Sequence, residues 1–541
     1  MDLTYTRLTC VDHIDGKDDS VYCSIFLTHC IMENGAKWPG CWRAVWIELV
    51  GAGSDGVAVC CMYDWWMMAD YGFCHMKNGY NGVPMPKWNV SIVKKVVVIL
   101  ALVMLVVSLW PHASSLYDLT GEETLPAQLR GVVHWLNTAV RPQPDLAVDA
   151  LGPETAVSPF GVNTFLQQEV EPEKRELSMQ LLHDAGFTHI RQEFAWEDIE
   201  VHGKGDFEDR RNMAAIGAVD AWAKYDQIVD LADTYDIEII ARLSNPPSWT
   251  RALTDTIGPL APPDNVADYG DFVAAVAERY QGRVRYYQLW NEPNGNEEWG
   301  LQDVNPEAYT ALLCEGYQRI KEADPDAVVL AAALTPTLAM DGRHMNDLIF
   351  LQRMYNAGAG GCFDVFSAQG YGLWSGATDQ RLRPTVINYP HNLLLRDMMV
   401  QNGDAHKPIW ISEMGWNTVP EEIPANFGRV TEAEQAKYTV EAFQRQQEAW
   451  PWVGVNNVWF FKRPADWELG ESWYYFRMMQ PDFTPLPVFE AVAEYAVGEQ
   501  AVEPMPGWVY MWHAWRPLLF SISAVILFYA LLAYLMPGKR E

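Results

Sequence analysis

The sequence is poor in basic residues, and they do not offset its acidic side chains. Its 541 residues carry 39 Lys and Arg against 70 Asp and Glu, which gives a formal net charge of −31. A surface of this sign repels phosphate backbones, so the composition argues against general nucleic-acid binding. Disordered and collagen-like chains are also excluded, because 49% of the residues are hydrophobic and only 20% are charged.

Cysteine is scarce after residue 74: the rest of the chain contains only Cys314 and Cys362. The spacings contain no Cys-x2-Cys pair and no Cys/His alternation, so the sequence predicts no metal site, and no motif indicates a cofactor. We interpret Cys314 and Cys362 as separate buried small side chains rather than as a disulfide. The other cysteines lie in residues 1–84, which lack clear periodicity and are interpreted as a poorly folded extension. A small Cys-rich domain is the alternative.

Two uncharged apolar runs flank the acidic part of the chain. Val96 to Trp110 follows two lysines and predicts a signal peptide, signal anchor or transmembrane helix within residues 85–115. Leu518 to Met536 predicts a transmembrane helix within residues 517–541. Basic residues precede the first run and follow the second. The positive-inside rule places these two basic ends of the chain on the cytoplasmic side of the membrane. We therefore expect the intervening chain to be extracytoplasmic, with the lipid bilayer and membrane proteins as partners.

Two segments are predicted to connect the membrane segments to the central domain. Residues 116–156 form the first linker. Residues 499–516 form the second, which carries aromatic residues suited to a membrane–water interface: Trp508, Tyr510, Trp512 and Trp515.

The central residues 157–498 alternate short apolar runs with amphipathic helical stretches, the pattern of a parallel α/β fold. The predicted strands are 160–165, 189–194, 238–243, 284–290, 327–334, 364–370, 408–414 and 455–461. Eight strands that alternate with helices in a segment of this length predict a (β/α)8 TIM barrel. A doubly wound sheet is the alternative, but no Gly-rich phosphate loop follows any of these strands.

Two predicted strand ends carry a carboxylate beside aromatic residues. The fourth strand runs into Trp290-Asn291-Glu292-Pro293, and the seventh ends in Ile411-Ser412-Glu413-Met414-Gly415-Trp416. A barrel brings its strand ends to one mouth, so Glu292 and Glu413 are expected to face one site. Most glycoside hydrolases need two carboxylates that flank the scissile bond, so this pair is suited to glycoside hydrolysis.

These motifs resemble the clan A glycoside hydrolases, retaining (β/α)8 enzymes of cellulase-like and β-xylosidase-like families, over residues 157–495. The resemblance implies that Glu292 is the acid/base and Glu413 the nucleophile. It further implies that Asn291 binds the sugar 2-hydroxyl, Arg191 orients and ionises Glu413, and Trp459 stacks beneath the sugar.

The sixth predicted strand departs from the family pattern. Family members often carry His-x-Tyr there, whereas this chain has Gln369-Gly370-Tyr371. Tyr371 can still hydrogen-bond the nucleophile, but Gln369 cannot titrate as histidine would. Aromatic residues expected around the rest of the mouth are Trp374, Trp416, Trp459, Trp467, Trp473, Tyr474 and Tyr475.

The sequence therefore predicts a membrane-anchored, extracytoplasmic retaining glycosidase that acts on β-linked glycans, with carbohydrate as its substrate. Two alternatives remain open. One is a non-catalytic glycan-binding or scaffold subunit of a membrane complex, and the other is a transglycosylase with the same catalytic residues.

Overall fold

The computed structural model describes residues 7–11, 21–29, 43–51, 60–64, 90–110, 116–252, 260–498 and 506–535. The chain divides into two compact units. The smaller comprises Met1–Leu102 and Ala530–Glu541, and the larger comprises Val103–Tyr529.

Four strands form an antiparallel sheet in the smaller unit, in the order β1-β2-β3-β4. They are β1 (Arg7–Val11), β2 (Val21–His29), β3 (Arg43–Gly51) and β4 (Cys60–Asp64). These strands are not predicted from the sequence, because its apolar residues form continuous runs here without alternation. The enrichment of β2 in β-branched and aromatic residues is the signal that favours a strand.

The described part of the larger unit adds ten strands. They are β5 (Phe160–Thr164), β6 (His189–Ala195), β7 (Glu208–Asp209), β8 (Val219–Asp220), β9 (Glu238–Ser244), β10 (Tyr286–Leu289), β11 (Val328–Ala331), β12 (Phe366–Tyr371), β13 (Ile409–Gly415) and β14 (Val453–Val458). Strands β7 and β8 pair with each other as an antiparallel ribbon. The other eight are the predicted strands, with small shifts at their ends.

The described residues contain fourteen α-helices. They are α1 (Val90–Ser108), α2 (Leu116–Thr120), α3 (Leu125–Ala139), α4 (Pro172–Asp184), α5 (Trp196–Ile199), α6 (Met213–Ile216), α7 (Ala223–Thr234), α8 (Val266–Arg279), α9 (Pro306–Ala323), α10 (Asp347–Asn356), α11 (Asn392–Gln401), α12 (Glu432–Ala449), α13 (Pro487–Val497) and α14 (Gly507–Leu535). Side-chain caps begin several of them, and α12 starts with a full capping box between Thr431 and Glu434.

The eight-stranded sheet closes into a barrel. Its hydrogen-bonded order is β11-β10-β9-β6-β5-β14-β13-β12. Two parallel bridges, Leu330 with Val365 and Leu334 with Ala368, join the first and last strands of that order. The predicted (β/α)8 barrel is therefore confirmed, with helices α4 and α7 to α13 following its strands in turn.

Two apolar layers stabilise the barrel. Seven buried side chains form a separate cluster on barrel strands and beside them: Ile240, Tyr286, Val328, Leu330, Val365, Trp410 and Val455. The second and much larger core lies between the strands and the helices.

The interpretation of Cys314 and Cys362 as separate side chains is wrong, because a disulfide joins them. Cys314 lies on α9 and Cys362 lies just before β12, 48 residues later. Sequence spacing alone does not bring these positions together. Their proximity follows from the packing of α9 beside the short helix Ala359–Gly361 that precedes Cys362.

One helix among the described residues is long and apolar enough to cross a membrane by length and composition. It spans Gly507–Ala533 with a mean hydropathy of 1.9. The helical part of the chain thus begins well before the predicted run at Leu518, and Pro517 lies inside it. The other apolar run lies on α1, which the same criteria do not select.

Candidate active site

The two glutamates stand at the carboxyl end of the barrel. Glu292 follows β10, and Glu413 lies within β13, where it pairs in register with Gln369 of β12. Glu413 is only 4% exposed. The structure thus places the predicted carboxylates at the rim where side chains from several strands can meet.

Arg191 of β6 is the centre of a buried hydrogen-bond network. Its Nη1 donates to Glu413 Oε1 and to Asn163 Oδ1, each at 2.8 Å, and its Nη2 donates to Asn291 Oδ1 at 2.7 Å. Its Nε donates to Gln288 Oε1 at 2.6 Å. A guanidinium held at all three nitrogens is fixed in orientation, so its charge stays beside the Glu413 carboxylate.

Tyr371 holds the other oxygen of the same carboxylate. Its hydroxyl donates to Glu413 Oε2 at 2.6 Å. Burial, together with the charge of Glu413, raises the pKa of Tyr371 well above its ordinary value. The phenol therefore stays protonated and remains a donor, so Glu413 has one donor on each oxygen.

Glu292 has a different environment from Glu413. Burial and the nearby charge of Glu413 raise the pKa of Glu292 to about 7. Hydrogen bonds from the Thr335 and Gln369 side chains oppose that rise by stabilising the carboxylate. Glu292 also has a φ of 41°, in the left-handed region, while its N–H donates to Ala333 O at 3.0 Å. Its backbone is thus held in a sparsely populated conformation by the segment that follows β11.

Asn291 joins the arginine network to a third carboxylate. Its Nδ2 donates to Glu298 Oε1 at 3.0 Å. Burial raises the pKa of Glu298. Trp290 fixes this loop because its indole N–H donates to the Glu298 backbone carbonyl at 2.8 Å. One amide hydrogen of Asn291 is engaged by this bond, and the other remains for a further acceptor.

Several residues of the network were not predicted from the sequence. Gln288 donates through Nε2 to Ser412 Oγ at 2.8 Å, and Asn163 donates through Nδ2 to the Ser412 carbonyl at 3.0 Å. Thr335 contacts Glu292 from the segment after β11. Inward alternation along each strand was the available signal for Gln288 and Asn163, whereas Thr335 lies outside any motif.

A second ion pair joins Glu193 of β6, two residues after Arg191, to Arg242 of β9, its partner in register. Arg242 Nη2 donates to Glu193 Oε1 at 2.8 Å, and Arg242 Nε donates to Ser244 Oγ at 3.0 Å. Arg242 is near enough to Glu292, Glu298 and Glu413 for their charges to act on it. These residues were also missed, because a charged residue on a strand resembles a solvent-facing position in the sequence.

The aromatic residues predicted to surround the site at the end of the barrel include both exposed and buried rings. Trp374, Trp467 and Trp473 are exposed, and Trp459 lies edge-on to Phe165 with ring centroids 5.6 Å apart. The prediction is wrong for Trp416 and Tyr474, which are fully buried. The Trp416 indole donates to the Ser375 carbonyl at 2.7 Å and packs against Tyr438, so that ring has a structural role.

Among the residues that the structure describes, no group of three or more His, Cys, Asp or Glu is placed to hold a metal ion. The side chains at this site include carboxylates, amides, a guanidinium and a phenol. Two carboxylates in contrasting environments can provide one ionised group and one proton donor near neutral pH.

Comparisons with solved structures give similar chains at low identity. A family 39 glycoside hydrolase from Bacteroides cellulosilyticus WH2 is 20% identical with a TM-score of 0.46, and the alignment covers 64% of each chain. A GH5_18 protein from Streptomyces cattleya is 15% identical over 70% of this chain and 92% of its own, with a TM-score of 0.47. Xylanase 10B from Thermotoga petrophila RKU-1 is 16% identical over 63% and 94%, with a TM-score of 0.41.

No curated protein matches the sequence. A family model described as Cellulase (glycosyl hydrolase family 5) matches residues 148–418. That range is half of the chain and contains seven of the eight barrel strands, all except β14, with both rim glutamates. The chain therefore belongs to the cellulase family, glycosyl hydrolase family 5, within the clan A glycoside hydrolases.

Proposed function

We propose that this glycoside hydrolase is a retaining glycosidase that cleaves β-linked glycans by double displacement. The main support for this proposal is that the two glutamates at the rim of the barrel have different surroundings. Glu413 accepts a hydrogen bond on each oxygen, from Arg191 and from Tyr371, while the pKa of Glu292 is raised to about 7. One is suited to attack and the other to proton donation.

In the first step, Glu413 attacks the anomeric carbon and Glu292 gives its proton to the glycosidic oxygen. The bond between the anomeric carbon and that oxygen breaks, and an ester bond to Glu413 forms. Esterification removes the negative charge of Glu413, which is one cause of the raised pKa of Glu292. The pKa of Glu292 therefore falls, and its carboxylate becomes a base for the second step.

In the second step, Glu292 takes a proton from water, and the water oxygen attacks the anomeric carbon. The ester bond breaks, Glu413 is released as a carboxylate, and the original configuration is restored. An acceptor sugar in place of water gives transglycosylation through the same residues. Product analysis with added acceptor separates these two outcomes.

The remaining predicted site residues are assigned to sugar binding. The free amide hydrogen of Asn291 would donate to the sugar 2-hydroxyl, in the position that Arg191 and Glu298 fix. Gln369 Oε1 is buried without a hydrogen-bond partner in the described structure, so it would accept from another hydroxyl. Trp459 would offer its ring face to the sugar.

We further propose that the barrel is extracytoplasmic and anchored to a membrane. Helix α14 is the C-terminal anchor, and the apolar run on α1, preceded by Lys94 and Lys95, is a signal peptide or second anchor. The disulfide between Cys314 and Cys362 supports this location, because disulfides persist mainly in oxidising compartments.

The test is hydrolysis of aryl β-glycosides and β-linked polysaccharides by the full chain in detergent or nanodiscs. Glu413→Gln and Glu292→Gln should each lose most of the activity, whereas the exposed Glu421→Gln should not. The anomer released first, followed by NMR, should be β. Equal rates for Glu413→Gln and wild type would refute catalysis and favour a glycan-binding subunit, and an α-anomer would refute retention.

A further inference from the structure

Helix α3 presents an uncovered apolar stripe. Leu125, Leu129 and Val133 are 62%, 60% and 65% exposed. Their spacing of four residues places them along one face of the helix. Three large apolar side chains in a row at this exposure are unusual for a helix that is packed on a soluble domain.

The opposite face of α3 is firmly packed, so the exposure of the stripe is not due to a loosely placed helix. Trp135 and Ala139 are buried and form a small apolar cluster with Leu119 of α2. The segment between α2 and α3 is attached to the barrel helices, because the Tyr438 hydroxyl donates to Glu123 Oε1 at 2.7 Å. The stripe therefore has a fixed direction relative to the barrel.

Helix α3 also lies against the start of the apolar helix α14. The Arg516 guanidinium is 5.9 Å from the centre of the Trp135 ring, and both residues belong to the larger unit. Arg516 is the last charged residue before the uncharged run that begins at Leu518. Nearby on α14, Trp508 and Trp515 are 58% and 59% exposed, as expected of interfacial aromatic residues.

The charge of α3 differs from that of the acidic barrel that follows it in the chain. Residues 124–144 contain no Asp or Glu, in a chain with 70 acidic residues. The same segment contains Arg130 and Arg141, both exposed. An amphipathic helix with an apolar stripe and basic flanks fits the surface of a bilayer that contains anionic lipids.

We propose that α3 lies in the membrane interface beside α14, with Leu125, Leu129 and Val133 inserted among the lipids. This inference rests on the proposed anchoring by α14. It gives the barrel an attachment point in addition to α14, which fixes the orientation of the enzyme on the membrane.

The experiment is carbene photolabelling of the full chain in vesicles of phosphatidylcholine and phosphatidylglycerol, with a lipid-soluble diazirine and peptide-level mass spectrometry. Leu125, Leu129 and Val133 should be labelled several-fold more than Met213 and Ile216. Those two residues of α6 are a matched control, because they are apolar and 57% and 63% exposed. Phe528 of α14 serves as the positive control for anchoring.

A pair of variants tests the inserted stripe directly. Leu129→Asp with Val133→Asp should lower the labelling of Leu125 several-fold, whereas Met213→Asp with Ile216→Asp should leave it unchanged. If Phe528 is labelled and the stripe is not, the inference is overturned and the anchor stands. Cross-linking of stripes between two copies would likewise overturn it, and absence of label on Phe528 would overturn the anchoring itself.

Discussion

The Gln369 side-chain amide donates a hydrogen bond to Glu292 Oε1, although the two residues are 77 positions apart in the chain. Gln369 occupies the position where related barrels often carry histidine. Its N–H stabilises the Glu292 carboxylate, in opposition to burial and to the charge of Glu413. A neutral amide, which does not change charge with pH, thus lowers the pKa of the proposed proton donor against the larger effects of burial and of the Glu413 charge.

This arrangement predicts the alkaline limit of activity. The proposed acid must be protonated in the free enzyme, and its pKa is raised to about 7. Therefore kcat/KM should fall as the pH rises through about 7, because Glu292 loses its proton. A pH profile with an activated aryl glycoside that needs little proton assistance should show a smaller fall. A profile flat to pH 9 for both substrates would contradict the assignment.

Removal of the Gln369 amide should move that limit. In Gln369→Leu, the Glu292 carboxylate loses a donor, so its pKa rises and the alkaline limb of kcat/KM shifts to higher pH. Gln401→Leu, on the exposed side of α11, provides the matched control. A lowered rate with an unmoved alkaline limb would mean that Gln369 serves only in sugar binding.

The raised pKa of Glu292 also predicts a cost in stability. The folded pKa of about 7 lies above the ordinary 4.5, so ionisation is disfavoured in the folded state. Wild type should therefore lose stability as pH rises from about 4.5 to 7, by up to about 3 kcal/mol. Glu292→Gln should not show that loss. Thermal midpoints at pH 5 and pH 8 test this, and the Tm advantage of the variant should appear at pH 8.

Arg191 should be irreplaceable by lysine. A lysine keeps the charge beside Glu413 but cannot donate to Asn163, Gln288 and Asn291 in a fixed fork. For Arg191→Lys we expect kcat to fall about 100-fold or more, because Glu413 and Asn291 lose their fixed positions. Arg283→Lys, at a surface ion pair, should be near wild type. Comparable rates for the two variants would contradict this role.

The disulfide predicts a measurable loss of stability on its removal. It closes a loop with a sequence separation of 48, for which the entropic contribution is about 4 kcal/mol. Cys314→Ala with Cys362→Ala should therefore lower the thermal midpoint of the purified chain. Reductant should lower the midpoint of wild type but not of this double variant. If the thermal midpoint is unchanged both in the double variant and in reduced wild type, the disulfide does not stabilise the fold.

The barrel and its two rim carboxylates could be predicted because they follow from local pattern. Short apolar runs between amphipathic helices mark the strands, and Glu292 and Glu413 come at the ends of two such runs. Parallel strands then bring their carboxyl ends together whatever the sequence separation.

What surrounds the carboxylates could not be predicted, because it depends on distances between strands. Thr335 is a hydroxyl residue outside any motif, and Ser412 lies in the Glu413 motif without any sign of the partners that it finds on other strands. Glu193 and Arg242 become partners only in the register of β6 with β9. Trp416 follows the Glu413 motif closely, yet the packing of its ring against neighbouring aromatic residues decides its burial.

The closure of the barrel at β11 and β12 has a consequence for how the fold opens. These strands meet through two isolated bridges, whereas other neighbouring strands share longer ladders. The disulfide ties α9, which leads into β11, to the residues just before β12. The shortest strand pairing thus lies between segments that the disulfide links covalently. Formation of the Cys314–Cys362 disulfide should therefore slow amide exchange of β11 and β12 more than that of β6 and β9.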